Sequence, residues 1–275
     1  MERELYARFA TCRVPYSIVV LIEQYGLLPV EDLPVSRSIK NRYQQALQLD
    51  QVPTNLLVPG DPYFPMPLLQ IPQPVYGLFF SGDPSLLRQP MISIIGSRQP
   101  SPSHSKRLSF LRPFFESPFV TVSGGALGID SLVHRLSLKH HQATIAVLAS
   151  GFDFLYPAKH APLFQRIQQD GLLLSEYPAP TPVKKHQFLE RNRIISGLAS
   201  GLIIVEATRK SGTMNTAGHA LEQGKDVYCI PGCPTEKHFQ GTNQLIAEGA
   251  IPLLNPEEVS KSILMNVDKW ESRLL

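Results

Sequence analysis

From Pro90 onward the chain alternates short, almost wholly apolar segments with longer amphipathic ones, and this alternation limits the fold more than any other feature. Leu202-Ile203-Ile204-Val205 is the plainest case: four aliphatic residues with no polar face, bounded by Gly201 and Glu206. A strand with no polar face must be covered on both sides, which is the situation of a parallel sheet. The pattern predicts strands at 92–95, 119–122, 144–148, 172–175, 202–206 and 227–230, with a short one at 250–254. It predicts helices at 105–115, 129–140, 160–170, 193–199 and 216–223. Strand, helix, strand in succession gives a doubly wound α/β sheet, whose ligands sit beyond the carboxyl ends of the strands.

The residues at those ends form a set. Ile95 is followed by Gly96-Ser97-Arg98, Leu148 by Ala149-Ser150-Gly151, and Ile230 by Pro231-Gly232. Glu206 is followed by Ala207-Thr208-Arg209-Lys210-Ser211-Gly212-Thr213. Val122 leads into Ser123-Gly124-Gly125-Ala126-Leu127-Gly128-Ile129-Asp130, which reads as strand, glycine turn and helix start. Amides at a helix start lack intrahelical partners and attract anions, and glycines allow close approach. Small residues, hydroxyls and bases at nearly every strand exit describe an anion-binding rim.

Upstream, residues 1–52 read as a small helical accessory domain, too short to bury much of a core by itself. Its second helical candidate, 36–49, carries Arg37, Lys40 and Arg42 and has a possible role at a DNA backbone. Residues 53–90 are rich in proline, which opposes helices and central strands. Val75-Tyr76-Gly77-Leu78-Phe79-Phe80 within them is expected to be an edge strand. The main domain is expected over 53–255, and the tail 256–275 is at most one short helix. No apolar run approaches the length of a membrane span, and the N-terminus lacks a signal peptide, so the cytoplasm is expected.

Charge is more informative by position than in total. The net charge is only +3, but no acid lies between Asp83 and Glu116, where Arg88, Arg98, Lys106, Arg107 and Arg112 occur. A second basic cluster runs from Lys184 to Arg193 with Glu190 as its one acid. Both suggest a polyanionic partner. The dinucleotide fingerprint, the nucleotide P-loop and the hydrolase nucleophile elbow are all absent. Three cysteines (Cys12, Cys229, Cys233) make no disulfide framework, and the Cys229/Cys233 pair has no second pair to complete a zinc site. No metal and no cofactor is expected. Asp130 and His134 share a helix face as an acid–base or metal pair, or as a cap and a packed histidine. The residues by themselves lead to a Rossmann-like domain that binds phosphates.

The order of these segments resembles the DNA-processing protein A (DprA, or Smf) family over roughly residues 56–254. The resemblance is carried by Tyr63-Phe64-Pro65, Gly82, Ile94-Ile95-Gly96-Ser97-Arg98, Ser123–Asp130 with His134, and Ala146-Val147-Leu148 leading to Tyr156-Pro157. It continues with Ser175-Glu176-Tyr177, Arg191–Leu198, Val205-Glu206-Ala207, Ser211-Gly212-Thr213, Pro231-Gly232, and Leu245-Ile246 before Gly249-Ala250. It implies an extended Rossmann domain preceded by a sterile-alpha-motif-like helical domain. It also implies a homodimer that binds single-stranded DNA, protects incoming DNA and helps load the RecA recombinase during natural transformation, without catalysis. The family's DNA-contacting arginine matches Arg98, and its lysine and aromatic match Lys185 and Phe188. The full set expected at DNA is Gly96, Ser97, Arg98, Ser123, Gly124, Gly125, Gly128, Lys159, Lys185, Phe188, Arg191, Asn192, Arg193, Ser211, Gly212 and Thr213. Many members have lysine directly after Tyr-Pro; here Ala158 stands there and Lys159 follows. The winged-helix module of some relatives is expected to be absent. Dimerisation is expected through Leu245-Ile246 and Ile251–Leu254.

A rival of a different class is an enzyme of the lysine-decarboxylase-like phosphoribohydrolase type, which shares a related core. Alignment of its late glycine loop on Gly212-Thr213 puts Met214-Asn215-Thr216 where the catalytic glutamate belongs.

Overall fold

The computed structural model describes residues 1–271 of the chain. Three helices come first: α1 (Arg3–Thr11), α2 (Tyr16–Tyr25) and α3 (Arg37–Leu47). Strands β1 (Leu56–Leu57), β2 (Leu78–Gly82) and β3 (Met91–Ile95) follow, then helices α4 (His104–Phe110) and α5 (Arg112–Phe115). The alternation expected from the sequence then runs β4 (Val120–Ser123), α6 (Ile129–Lys139), β5 (Thr144–Leu148), α7 (Ala161–Asp170), β6 (Leu172–Ser175) and α8 (Lys185–Leu198). It ends with β7 (Gly201–Ile204), α9 (Gly212–Glu222), β8 (Asp226–Cys229), α10 (Gln240–Ala247), β9 (Ile251–Pro252) and α11 (Pro256–Glu271).

Among the described residues the strands form one sheet in the order β1-β2-β6-β5-β4-β3-β7-β8-β9. Pairs from β6 through β9 are parallel, while β1/β2 and β2/β6 are antiparallel. This is the doubly wound, mostly parallel α/β sheet that the apolar strands predict. Successive residues feed opposite cores. Leu202 and Ile204 pack with α8 and α9 residues such as Ile195 and Ala217, whereas Ile203 and Val205 pack with Phe114, Val133 and Ile263. Leu202, Ile203 and Ile204 are all fully buried, each worth about 1.5–3 kcal/mol of hydrophobic transfer. From β3 the winding passes to β4, β5 and β6 in one direction, and then to β7, β8 and β9 in the other. The reversal lies between β3 and β7, where the loops after the two strands diverge and leave a crevice.

Several local expectations are corrected. The strand placed at the sheet edge is β2, which lies inside the sheet between β1 and β6; Pro72 and Pro74 displace its start to Leu78. Helix α8 begins eight residues earlier than expected, and Arg191 and Asn192, polar residues ahead of the expected start, are buried within it with partners. Helix α10 was not expected. Its Gly241 donates to the Ala207 carbonyl at 2.8 Å, and a Cβ there would lie only 2.7 Å from the same oxygen. The tail helix α11 has 16 residues where at most one short helix is expected, and Ile263 packs into the core beside Phe115. The N-terminal helices enclose more core than their length suggested. Phe9, Val19, Tyr43 and Ala46 are fully buried, in a cluster that continues into Leu56, Val58, Tyr76 and Phe79.

Candidate nucleic-acid interface

A cleft of about 950 Å³ opens at the β3/β7 reversal. One wall is the turn Gly96-Ser97-Arg98 after β3; the opposite wall is Thr208 to Thr213 between β7 and α9. The first half of α8 forms a third side through Lys185, Phe188, Arg191 and Asn192, and Lys237, His238 and Gln240 close the fourth. Six cations line it: Arg98, Lys185, Arg191, Arg209, Lys210 and Lys237. The lining contains one carboxylate, Asp130, which is buried. The cleft is therefore strongly electropositive.

The floor is held by internal polar contacts. Arg191 is 4% exposed, and its Nη1 donates to the carbonyls of Gly124 (2.7 Å) and Val147. Asp130 accepts from the Gly124 amide at 3.2 Å, with further backbone bonds from Ala126 and Gly96. Burial pushes the Asp130 carboxyl above its usual range, and the Arg191 charge opposes that shift. Burial likewise lowers the Arg191 guanidinium to about 10, with Asp130 acting against the shift. The glycine turn thus spends amides on its own carboxylate. The Ile129 amide is taken by the Ser97 carbonyl at 3.0 Å, so the start of α6 is covered by the neighbouring turn. Helix α9 is different. Its N-cap Ser211 gives no side-chain cap, its Gly212 faces open space, and both line the cleft. Thr213 Oγ1 ties this start to the Gly96 carbonyl at 3.1 Å across the reversal. The free positive helix end expected at α6 is found at α9.

Above the floor, the exposed Arg98 lies over the Phe188 ring, 5.2 Å from guanidinium carbon to centroid. The Phe188 ring meets Tyr156 edge-on at 5.5 Å, and Tyr156 is 49% exposed. A cation beside two accessible rings suits a phosphate with a stacked base.

Of the residues expected at the interface, the structure gathers Gly96, Ser97, Arg98, Lys185, Phe188, Arg191, Asn192, Ser211, Gly212 and Thr213 around the cleft. Gly124 lines a small recess beside Arg98, Tyr156 and Phe188. Others stand elsewhere. Ser123 is fully buried and donates to the Ile94 carbonyl at 2.8 Å. Gly125 lies against the Phe164 ring, and Gly128 (φ 79°) lies against the backbone of Ser97 and Arg98, so both serve the turn. Lys159 is exposed beyond the lining. Arg193 points away, pairing with Glu176 at 2.7 and 3.1 Å and bonding the Gln73 carbonyl at 2.9 Å. Helical positions two apart, such as 191 and 193, cannot share a face, which periodicity could have shown. Lys237 and His238 were missed. The signal for them was a basic pair soon after the Pro231-Gly232 exit. Arg107 holds the ends of their segment, bonding the Pro231 carbonyl at 3.1 Å and lying 3.7 Å over the Phe239 ring.

His134 is buried, bonded through Nδ1 to Thr144 Oγ1 at 2.8 Å. With Asp130 capping the glycine turn, the pair is structural. Among the described residues no cluster of three or more His, Cys, Asp or Glu side chains is placed to hold a metal. Met214, Asn215 and Thr216 lie in the opening turns of α9, where Asn215 Oδ1 accepts from Asn192 at 3.0 Å.

The decisive comparison is with the family model described as DNA recombination-mediator protein A, which matches residues 55–264. The chain belongs to that family. DNA processing protein DprA of Streptococcus pneumoniae is 38% identical over 200 residues, covering 72% of this chain and 71% of that protein. Protein Smf of a Synechocystis strain is 34% identical over 248 residues, covering 88% of this chain and 62% of its own length. The chain thus spans somewhat under two thirds of that relative. The X-ray structure of the pneumococcal DprA superposes with a TM-score of 0.80 at 30% identity, covering 93% of this chain and 94% of that one. DNA processing protein A from Helicobacter pylori, described by its single-stranded DNA binding mode, superposes with a TM-score of 0.69 at 32% identity, over 77% and 96%. The family match begins at β1, so the three N-terminal helices lie outside it. No helix among the described residues is long and apolar enough to cross a membrane.

Proposed function

We propose that the chain binds single-stranded DNA in the cleft at the β3/β7 reversal and passes it to a RecA recombinase during uptake of foreign DNA. The observation that carries the reading is the pairing of Arg98 with the Phe188 and Tyr156 rings in a cleft lined by six cations. Splayed bases offer faces to rings and phosphates to cations, which stacked base pairs within a duplex do not. The family's description as a recombination mediator and the single-strand binding of the Helicobacter relative support the same substrate. Arg98, Lys185 and Phe188 make the central contacts in this reading. Arg209, Lys210 and Lys237 extend the phosphate track, and the start of α9 receives one phosphate. Arg191, Arg193 and the glycine turn hold the walls.

The active form is proposed to be a homodimer. Ile251 (40% exposed) on the edge strand β9, with Leu254 (69%) just beyond it, gives the apolar surface for it. Leu245 and Leu253 are core residues and take no part. Titration of the protein with labelled single-stranded and duplex oligonucleotides at two salt concentrations tests the substrate. The single strand should bind at least about 10-fold tighter, with affinity falling as salt rises. Equal binding to both would remove the reading.

A further inference from the structure

Helix α8 has two polar faces. One lines the cleft through Lys185, Phe188, Arg191 and Asn192; the other meets the N-terminal helices through Glu190 and Arg193. Between that second face and the helices lies a cavity of about 290 Å³, bordered by Arg13, Arg42, Tyr16, Tyr76, Glu176, Glu190 and Arg193. Arg193 is satisfied by Glu176, which leaves Arg13 and Arg42 facing Glu190. Arg42 is turned back, donating to the Arg13 carbonyl at 2.6 Å. Arg13 alone reaches across. Its guanidinium carbon is 4.3 Å from the Tyr177 ring centroid, and Nη2 is 3.7 Å from Glu190 Oε2. The same Glu190 oxygen accepts from Tyr177 Oη at 2.6 Å.

The backbone of Arg13 is unusual. It follows α1 with φ 54°, the left-handed conformation that ends helices and favours glycine. Its amide bonds the Ala10 carbonyl at 3.1 Å, and the Val14 carbonyl is fixed by Tyr76 Oη. An arginine in a glycine conformation, with its side chain committed to another part of the fold, points to a role for that side chain. The ion pair alone is partly exposed, at 36% and 41%, and would contribute little. The ring contact and the shared Tyr177 bond are what hold it to one geometry.

We propose that Arg13 is a positioning residue for the DNA cleft: through Tyr177 and Glu190 it braces α8 and so holds Lys185 and Phe188 in place. Glu190 lies two residues beyond Phe188, so loosening it frees the turn that presents both groups. The proposal rests on the single-strand reading for its consequence, but not for the brace itself.

The test uses the whole chain with Arg13→Gly, Arg13→Lys and Tyr177→Phe. Arg13→Gly removes the side chain while relieving the left-handed backbone, so its thermal midpoint should not fall. Amide exchange at 185–190, measured without DNA, should quicken roughly 10-fold in Arg13→Gly and in Tyr177→Phe, and less in Arg13→Lys, which keeps a charge for Glu190. Affinity for a single-stranded oligonucleotide should fall about three- to ten-fold in Arg13→Gly with the salt slope unchanged, because no phosphate contact is lost. Lys185→Ala, a direct contact, should lower the slope by about one. Unchanged exchange at 185–190 in both Arg13→Gly and Tyr177→Phe would overturn the brace. A slope change in Arg13→Gly equal to that of Lys185→Ala would replace it with a direct DNA contact. If the wild-type chain binds no single strand, the substrate reading fails, and the exchange measurement still decides the brace.

Discussion

At the scale of single residues, position relative to the sheet separates cations that sequence alone treats alike. Arg98 and Lys106 belong to one acid-free stretch, yet Arg98 lies over Phe188 at the cleft and Lys106 is exposed on α4, outside the lining. Arg98→Ala should weaken single-strand binding by roughly 10- to 150-fold, the loss of one charge-assisted contact of about 1.5–3 kcal/mol. Lys106→Ala should change it little, and fluorescence anisotropy on the two variants compares them directly. Phe188→Ala should cost about 1–3 kcal/mol through lost stacking, with the salt slope intact.

His134 makes a second residue-scale prediction. Burial, followed by the charges of His160 and Arg191, lowers its pKa from 6.5 to about 3. The folded state therefore binds this proton less readily than the unfolded chain does. Its contribution to stability is complete above about pH 6.5 and is lost as the pH falls toward 3, at up to about 1.4 kcal/mol per pH unit. Urea titrations of wild type and His134→Gln at pH 7, 6 and 5 measure this. The variant should have lower stability at pH 7 and a flatter decline with acid; parallel declines would assign the loss to other groups.

At the scale of elements, the strands were legible because a covered parallel strand requires an apolar run, and Ile92–Ile95 or Leu202–Val205 can hardly be read otherwise. Helix α8 was half legible. Its cleft-facing positions carry Arg191 and Asn192, whose partners, Gly124 and Asn215, are 67 and 23 residues away in sequence. No local pattern announces such pairs. The sequence marks the position of the glycine turn but not its bonding, since its helix start is covered by Ser97 and the Gly124 amide turns to Asp130. The free helix start belongs to α9. Close packing under the turn is testable at Gly124, where an added Cβ would stand 2.7–2.8 Å from the buried Arg191 guanidinium. Gly124→Ala should destabilise the fold by about 1–3 kcal/mol through overpacking, read as a lower urea midpoint.

At the scale of the whole molecule, the reversal of winding between β3 and β7 decides where ligand chemistry can collect, and residues more than 100 positions apart meet there. The segment carrying Lys237 and His238 is tied to this site by contacts distant in sequence, Arg107 to Pro231 and Phe239 and Gly241 to Ala207, which explains why a linear reading missed them. The N-terminal helices pack against the main domain, with Arg13 reaching Glu190 and Tyr177, and the basic residues Arg37, Lys40 and Arg42 lie on α3. Lys40 bonds the Glu31 carbonyl at 2.6 Å and Arg42 the Arg13 carbonyl, so two of the three bind within the segment itself. Exposed Leu254 and Ile251 at the β9 edge lead to the dimer prediction: light scattering at micromolar concentration should give twice the chain mass of 30.6 kDa. Leu254→Glu should return it to the single-chain value. The most direct test of where DNA lies is ultraviolet cross-linking of a bound thymidine-rich single strand, followed by mapping of the modified peptides. Cross-links should concentrate at the half-buried Phe188 and the exposed Tyr156, the rings beside Arg98, and decline in Arg98→Ala. Cross-links gathered instead at Tyr25, which is 64% exposed on the N-terminal helices, would place the DNA outside the cleft and contradict the account.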